Sequence, residues 1–165
     1  MENQIPQGQI NGPMSLASAL EHITEHTEKK LQVFWPNLDT RHFDRKDSYE
    51  RLGLLCTRGG QAYARFLVSS VVTGAAVVKS HPRLVSLCRK FPSYIQFRQL
   101  PKDYSHNEEV FITGDDRIYL HLPRLGESLG YYELDNRQRA KHLLNRFDGF
   151  WQRSALLPEI HTAGL

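Results

Sequence analysis

Apolar residues recur along the chain with two different periods, and the alternation between these periods predicts the order of elements. Apolar positions spaced by three and four predict a helix over about residues 15–30. The bulky run LQVFW, residues 31–35, predicts a buried strand that ends before Pro36. By the same criteria we predict a helix between Asp44 and Gly59, a strand over 62–70, a helix over 80–91 and a strand over 93–100.

The C-terminal third has the pattern of a hairpin followed by a helix. The segments EVFITG (109–114) and RIYLHL (117–122) flank Asp115 and Asp116, where we predict a turn. A long helix capped by Asp135 then carries apolar residues at helical spacing and is expected to cover the sheet.

The order of these elements predicts the fold class. Because helices alternate with strands up to about residue 100, right-handed crossovers require mainly parallel strands, and the hairpin then adds antiparallel ones. We therefore predict an α/β domain with a mixed, mainly parallel sheet flanked by helices and a C-terminal hairpin and helix. The polar residues 1–14 predict a flexible N-terminal tail, and residues 15–165 predict a single domain.

Composition narrows the class of protein. The 165 residues, 40% apolar and 24% charged, suit one globular domain, and the net charge of +3 is only weakly basic. Cys56 and Cys88 occupy apolar helical positions, so we interpret them as reduced core residues and expect a cytoplasmic location. The most apolar run, residues 66–78, is short and interrupted by polar residues, which predicts no membrane segment.

Four segments carry a resemblance to a known family. They are LDTRHFDRKDSYERL, HPRLVSLCRKFPSYIQFRQLPKDY, the strand pair around GDD, and the closing RFDGFWQRS. In this order they resemble an uncharacterised bacterial family with a phospholipase-D-like fold, over about residues 15–165. The resemblance implies a single phospholipase-D-like domain, and it implies a homodimer as one arrangement, because single-motif relatives pair their sites.

Active members of the wider phospholipase D superfamily carry His-x-Lys, four residues, and then Asp. In that motif the histidine attacks phosphorus, the lysine neutralises the phosphoryl oxygens and the aspartate orients the histidine. With His106 on the motif histidine, Glu108 takes the lysine position and Thr113 the aspartate position. A carboxylate in place of the ammonium group repels a phosphate, so the resemblance implies a degenerate scaffold, a pseudoenzyme without catalytic residues.

The loop after the first predicted strand is the first candidate for a ligand site, because ligands of such sheets bind beyond the carboxyl ends of the strands. It gathers Asp39, Arg41 and His42. In a functional interpretation Arg41 holds an anion. In a structural interpretation Asp39 and Arg41 pair locally while Asp44 caps the next helix.

A second candidate precedes the helix predicted over residues 80–91. Lys79 and His81 flank Ser80, and free backbone N–H groups at this helix start would receive a phosphate unless Ser80 caps them. His22 and His26 are one helical turn apart, but the sequence offers no evident third metal ligand. We therefore predict no metal site and no cofactor.

Three functions remain open from the sequence. The first is a non-catalytic binding or regulatory module that contacts an unknown protein partner or an anionic ligand. The second is a divergent phosphodiesterase or nuclease that acts as a dimer, with His106 and either Asp115 or Asp116 as its reactive groups. The third is a nucleic-acid-binding protein without catalysis, and salt-sensitive DNA binding would favour it.

Overall fold

The computed structural model of the chain describes residues 8–104 and 109–161. Within these ranges, eight strands form one sheet in the order β1-β7-β6-β5-β2-β3-β4-β8. The strands are β1 Gly8–Asn11, β2 Lys30–Phe34, β3 Tyr63–Val68, β4 Ile95–Gln99, β5 Val110–Gly114, β6 Ile118–Arg124, β7 Leu129–Glu133 and β8 Ala155–Leu156. The helices are α1 Pro13–His26, α2 Lys46–Cys56, α3 Gly74–Ser80, α4 Pro82–Lys90, α5 Arg137–Gln152 and α6 Pro158–His161.

The mixed sheet flanked by helices is confirmed, but the proportion of parallel to antiparallel strand pairs differs from the prediction. Strands β2, β3 and β4 are parallel, as their helical crossovers require. Every other described pair is antiparallel, so antiparallel pairs outnumber parallel ones. The expected excess of parallel strands is wrong because β1, β7 and β8 were not predicted from the sequence.

The N-terminal segment also differs from the predicted tail. Residues Gly8–Asn11 form β1, which pairs with β7, and Ile10 lies opposite Gly130. The side chain of Ile10 is 1% exposed and belongs to the main core, which explains why this short polar stretch joins the sheet. Helix α1 then begins at Pro13, with Gly12 as the residue before it.

Two hydrophobic cores lie on opposite faces of the sheet. The larger core packs α1, α2, α3, α4 and α6 against one face. The smaller core packs α5 against the other face, where Phe34 and Phe111 stack with ring centroids 4.6 Å apart. Helix α5 is capped by Asn136, whose side-chain oxygen accepts from the backbone N–H of Arg139, and not by Asp135 as predicted.

Both cysteines are buried and free of disulfides, as predicted. Burial raises the pKa of Cys56 to about 11 and that of Cys88 to about 12, so both remain protonated thiols at neutral pH. In the part of the chain that the structure describes, no helix has the length and apolar character needed to cross a membrane.

Candidate functional site

The position that would hold the motif aspartate is buried and already bonded. Thr113 lies in β5 with 1% of its surface exposed, and its hydroxyl donates to Oε1 of Gln32 on the neighbouring strand at 2.6 Å. A buried threonine carries no charge and its only proton donor is used. It therefore lacks the chemistry to orient a nucleophilic histidine as a carboxylate does. His106 and Glu108 lie outside the described residues.

An ion pair joins Glu109, the residue before β5, to Arg146 of α5. The two oxygens of Glu109 accept from both terminal nitrogens of Arg146, at 2.7 and 2.8 Å. His121 Nε2 lies 2.6 Å from Glu109 Oε2, and the Arg146 guanidinium lies 5.0 Å from the Phe111 ring centroid. Hydrogen bonds from Arg146, and secondarily from His121, lower the pKa of Glu109 to about 2.

Sequence reasoning missed this cluster. Glu109 and Arg146 are 37 residues apart, and no local sequence pattern connects the residue before a strand with a residue of a distant helix. The Arg146 guanidinium makes its two hydrogen bonds to a carboxylate of the same chain, that of Glu109. This cation is consequently engaged with the chain itself and not with an external anion.

The two aspartates of the hairpin turn have different surroundings. The Asp115 carboxylate accepts from three consecutive backbone N–H groups, of Glu28, Lys29 and Lys30, at 2.8, 2.9 and 2.9 Å. It therefore anchors the loop that leads into β2. Asp116 is exposed, and both aspartates have positive φ, of 51° and 63°, as a tight turn requires.

The length of β5 also separates these aspartates from the hairpin's other end. Asp115 is six residues after Glu109 along an extended strand, which is about 20 Å at roughly 3.3 Å per residue. As candidates for catalysis, Asp115 and Asp116 thus lie at the opposite end of strand β5 from the ion pair of Glu109.

In the loop that follows β2, the His42 side chain is buried and does not face the solvent. His42 lies in a short 3₁₀ segment, and its Nε2 is 2.7 Å from the Thr24 hydroxyl. Burial, with a smaller effect from Arg45, lowers the pKa of His42 to about 4, so the ring is neutral at pH 7. Asp39 is exposed and accepts from the Trp35 indole N–H at 2.9 Å.

The second candidate segment meets that loop through a buried histidine. His81 is 1% exposed, its Nε2–H donates to the Thr40 carbonyl at 2.8 Å, and the Ser80 hydroxyl donates to its Nδ1 at 2.7 Å. Burial lowers the pKa of His81. The hydrogen bond from His81 to Thr40 is thus a packing contact that holds the two loops together. The side chains of Arg41 and Lys79 are exposed at the surface.

The helix caps in this region also differ from the predictions. Asp44 does not cap α2, whose preceding residue is Arg45. Instead the Asp44 carboxylate accepts from the backbone N–H of Leu84 at 2.9 Å and caps α4. The N-terminal N–H groups of α4 are thereby partly satisfied by an acid, which disfavours a phosphate there.

The histidines of α1 have structural partners. His22 Nδ1 lies 2.8 Å from the Tyr132 hydroxyl, and His26 Nδ1 lies 2.8 Å from the His22 carbonyl oxygen. In residues 8–104 and 109–161, no group of three or more His, Cys, Asp or Glu side chains is arranged to hold a metal ion.

The exposed face of α5 has a one-sided charge. Residues 137–153 contain five Lys or Arg residues and one acid, Asp148. Arg137, Lys141 and Arg153 are exposed, whereas Asp148 is partly buried. Within the described residues these three cations have no carboxylate partner within ion-pair distance, so the outer face of α5 presents unneutralised positive charge.

Comparison with known proteins identifies the family. The chain belongs to the family described as "Domain of unknown function (DUF7931)", whose model matches residues 13–162. Among curated protein sequences no match is found. This match confirms the predicted resemblance to an uncharacterised family, and the solved structures described next confirm its phospholipase-D-like fold.

Solved structures share the fold at low sequence identity. Nuc from Salmonella typhimurium, a phospholipase D family member, is 11% identical with a TM-score of 0.64, and the match covers 94% of this chain and 98% of Nuc. NucT from Helicobacter pylori is 9% identical with a TM-score of 0.57, over 92% and 98% of the two chains. TrmBL2, an archaeal chromatin protein, is 9% identical with a TM-score of 0.62; the match covers 94% of this chain but only 56% of TrmBL2.

Proposed function

We propose that this member of the DUF7931 family is a non-catalytic binding module on a phospholipase-D-like scaffold, and that its ligand is a phosphate-bearing polyanion, namely nucleic acid. The observation that carries the proposal is the outer face of α5, where exposed cations stand without exposed acids. An unknown protein partner would need an acidic surface to match the same face.

The side chains on and next to β5 support a function without catalysis. The aspartate position of the superfamily motif holds Thr113, whose hydroxyl donates to Gln32. The nearby cation Arg146 is paired with Glu109, and Asp115 is held by backbone N–H groups. Each of these groups serves the fold, so a phosphodiester bound here meets no free acid, base or cation from them.

The dimensions and charge of α5 support nucleic acid as the ligand. The helix has 16 residues and is about 24 Å long at roughly 1.5 Å per residue. Arg137 and Lys141 are one turn apart on its outer face, and His142 and Asn145 extend that face with further hydrogen-bonding groups. The major groove of B-DNA admits an α-helix, and lysine and arginine contacts to phosphates release counterions.

One structural relative is described in terms of DNA. The published description of TrmBL2 states that this chromatin protein shows a novel mode of DNA binding. With 9% identity the likeness concerns the fold alone. It supports the proposal only in that a scaffold of this shape occurs in a protein that binds DNA.

A salt titration tests the binding proposal. Binding of a fluorescein-labelled 20-base-pair duplex is followed by anisotropy at several salt concentrations, and we expect affinity to fall linearly on a log–log plot. The double variant Arg137→Gln/Lys141→Gln should bind at least about tenfold more weakly and show a slope smaller by about 2, since each lost phosphate contact removes about 0.9.

A charge-matched control distinguishes an effect of the outer face of α5 from an effect of the protein's overall charge. The variant Lys46→Gln/Lys90→Gln removes two exposed cations from the other side of the sheet and should leave the slope almost unchanged. Equal weakening by both double variants would contradict a role for α5. Cleavage of the duplex that disappears in His106→Ala would contradict the non-catalytic part of the proposal.

A further inference from the structure

Arg65 projects from β3 on the sheet face that α5 covers only in part. Its guanidinium carbon lies 4.1 Å from the centroid of the Tyr63 ring and 5.2 Å from that of the Trp151 ring. Contact with two aromatic rings fixes the plane of the guanidinium at low entropic cost and leaves its N–H edge to make hydrogen bonds. The N–H donors of the planar Arg65 guanidinium, a fork of donors, are therefore already oriented before any ligand binds.

The structure assigns no protein acceptor to that fork. Among the described residues, no hydrogen bond or ion pair of Arg65 is present. Asp148 is close enough for Arg65 to lower its pKa, against the larger opposite effect of burial, but it lies beyond ion-pair distance. Arg65 is half-buried and held in place by two rings while its donors have no protein acceptor, which favours an external anion at this place.

A polar cavity of about 200 Å³ lies beside Arg65. Its walls include Gln61, Tyr63, Ser93 and Gln96, and none of its lining residues is an acid. The cavity shares Gly60 and Gln61 with a second cavity of about 550 Å³. That cavity is lined by three acids and by four cations, Lys29, Lys30, Arg58 and Arg117.

We propose that Arg65 and the cavity lined by Gln61, Ser93 and Gln96 form a binding site for the phosphate group of a small phosphate ester. The planar fork matches two oxygens of a phosphate, and the amide and hydroxyl groups supply donors for the remaining oxygens. The volume admits a phosphate with a short attached group, and a larger ester extends into the neighbouring cavity beside Arg58. This site is separate from the cationic outer face of α5 and does not depend on it.

Nuclear magnetic resonance tests the site with defined probes. The full chain, labelled with ¹⁵N, is titrated with inorganic phosphate, adenosine monophosphate and acetate while the two indole N–H signals are followed. We expect phosphate and the monophosphate to shift the Trp151 signal saturably, and the Trp35 signal, from the other core, to remain still. Acetate binding as tight as phosphate binding, or an unchanged Trp151 signal with both phosphate probes, would overturn the assignment.

Two kinds of variant test Arg65 as the anion's partner. Arg65→Gln should weaken binding at least about tenfold, because it removes a charge-assisted bidentate contact. Arg65→Lys should recover part of the affinity, since it keeps the charge but loses the planar fork. Unchanged affinity in Arg65→Gln would refute the proposal.

A surface variant keeps the proposal testable if changes at Arg65 disturb the packing of Trp151. Ser93 is exposed at the cavity wall, and Ser93→Glu introduces a repelling carboxylate without touching the stacked rings. Ser86→Glu adds the same charge at an exposed position of helix α4 and is the matched control. We expect only Ser93→Glu to abolish the phosphate response; equal effects of the two would indicate long-range charge and overturn the site. Duplex binding through α5 should persist in Ser93→Glu, so the two proposals can fail separately.

Discussion

The ion pair between Glu109 and Arg146 gives the sharpest test of the electrostatics of this fold. The Glu109 side chain is 13% exposed and that of Arg146 is 33% exposed, so solvent screens the pair only partly. The pKa of Glu109 falls from 4.5 to about 2. At about 1.4 kcal/mol per pH unit, this shift corresponds to roughly 3 kcal/mol of stabilisation of the folded state by the charged carboxylate.

The variant Glu109→Gln removes that charge while nearly preserving shape. Because the folded-state pKa is depressed, the stabilisation is fully present above about pH 4.5 and is lost as the pH falls towards about 2. We therefore expect the free energy of unfolding in urea to be about 3 kcal/mol lower for Glu109→Gln than for the wild type at pH 7. The two proteins should converge near pH 2.

The exposed pair of Arg124 and Glu127 provides a matched control. Its nitrogen and oxygen are 3.9 Å apart, and the two side chains are 76% and 55% exposed. Exposed pairs of this kind contribute at most about 1 kcal/mol, so Glu127→Gln should change stability little. A difference between wild type and Glu109→Gln that is constant with pH, or no larger than that of Glu127→Gln, would refute the assignment of stability to the Glu109 carboxylate.

Three further predictions concern the fold. Asp115→Ala should destabilise by about 2 kcal/mol because it removes the acceptor of three backbone N–H groups, whereas Asp116→Ala in the same turn should cost less; thermal melts compare them. Gly130→Ala should destabilise by about 2 kcal/mol or more, because an added Cβ would overlap a backbone carbonyl of β6, while Gly149→Ala meets open space and should stabilise α5 by up to about 1 kcal/mol. The thiol of Cys88, whose pKa burial raises to about 12, should react with an aromatic disulfide reagent only after unfolding; rapid reaction of the native chain would contradict its burial.

The elements with a complete apolar period of their own were predictable from the sequence. Strand β2, the β5–β6 hairpin and helix α5 all appear where their patterns predicted them. Strands β1, β7 and β8 lack such a pattern. In β7 only Gly130 and Tyr132 are buried, and Tyr131 is 54% exposed, so the strand exists through its pairing with β6 and β1. A strand defined by its neighbours leaves little trace in its own composition.

The candidate site was harder to predict, because a sequence gives the type of a side chain and not its direction. His42 and His81 follow plausible ligand edges of the sheet, yet both rings point into the protein and bond to Thr24 and Thr40. Conversely, the sequence did not indicate a role for Arg65, because its two aromatic neighbours come from its own strand and from a distant helix.

The partners of the cations separate those that serve the fold from those available to a ligand. Arg146 binds a carboxylate, and Arg89 and Arg98 donate to backbone carbonyls, so each is used by the chain itself. A merely solvated surface usually intersperses both signs of charge. The outer face of α5 does not, because its one acid, Asp148, is partly buried, and burial raises the pKa of that carboxyl. A helix that presents exposed cations and only one, partly buried acid has the charge that the proposed binding of a polyanion needs, and such binding does not depend on the lysine and aspartate of the superfamily motif, whose positions hold Glu108 and Thr113.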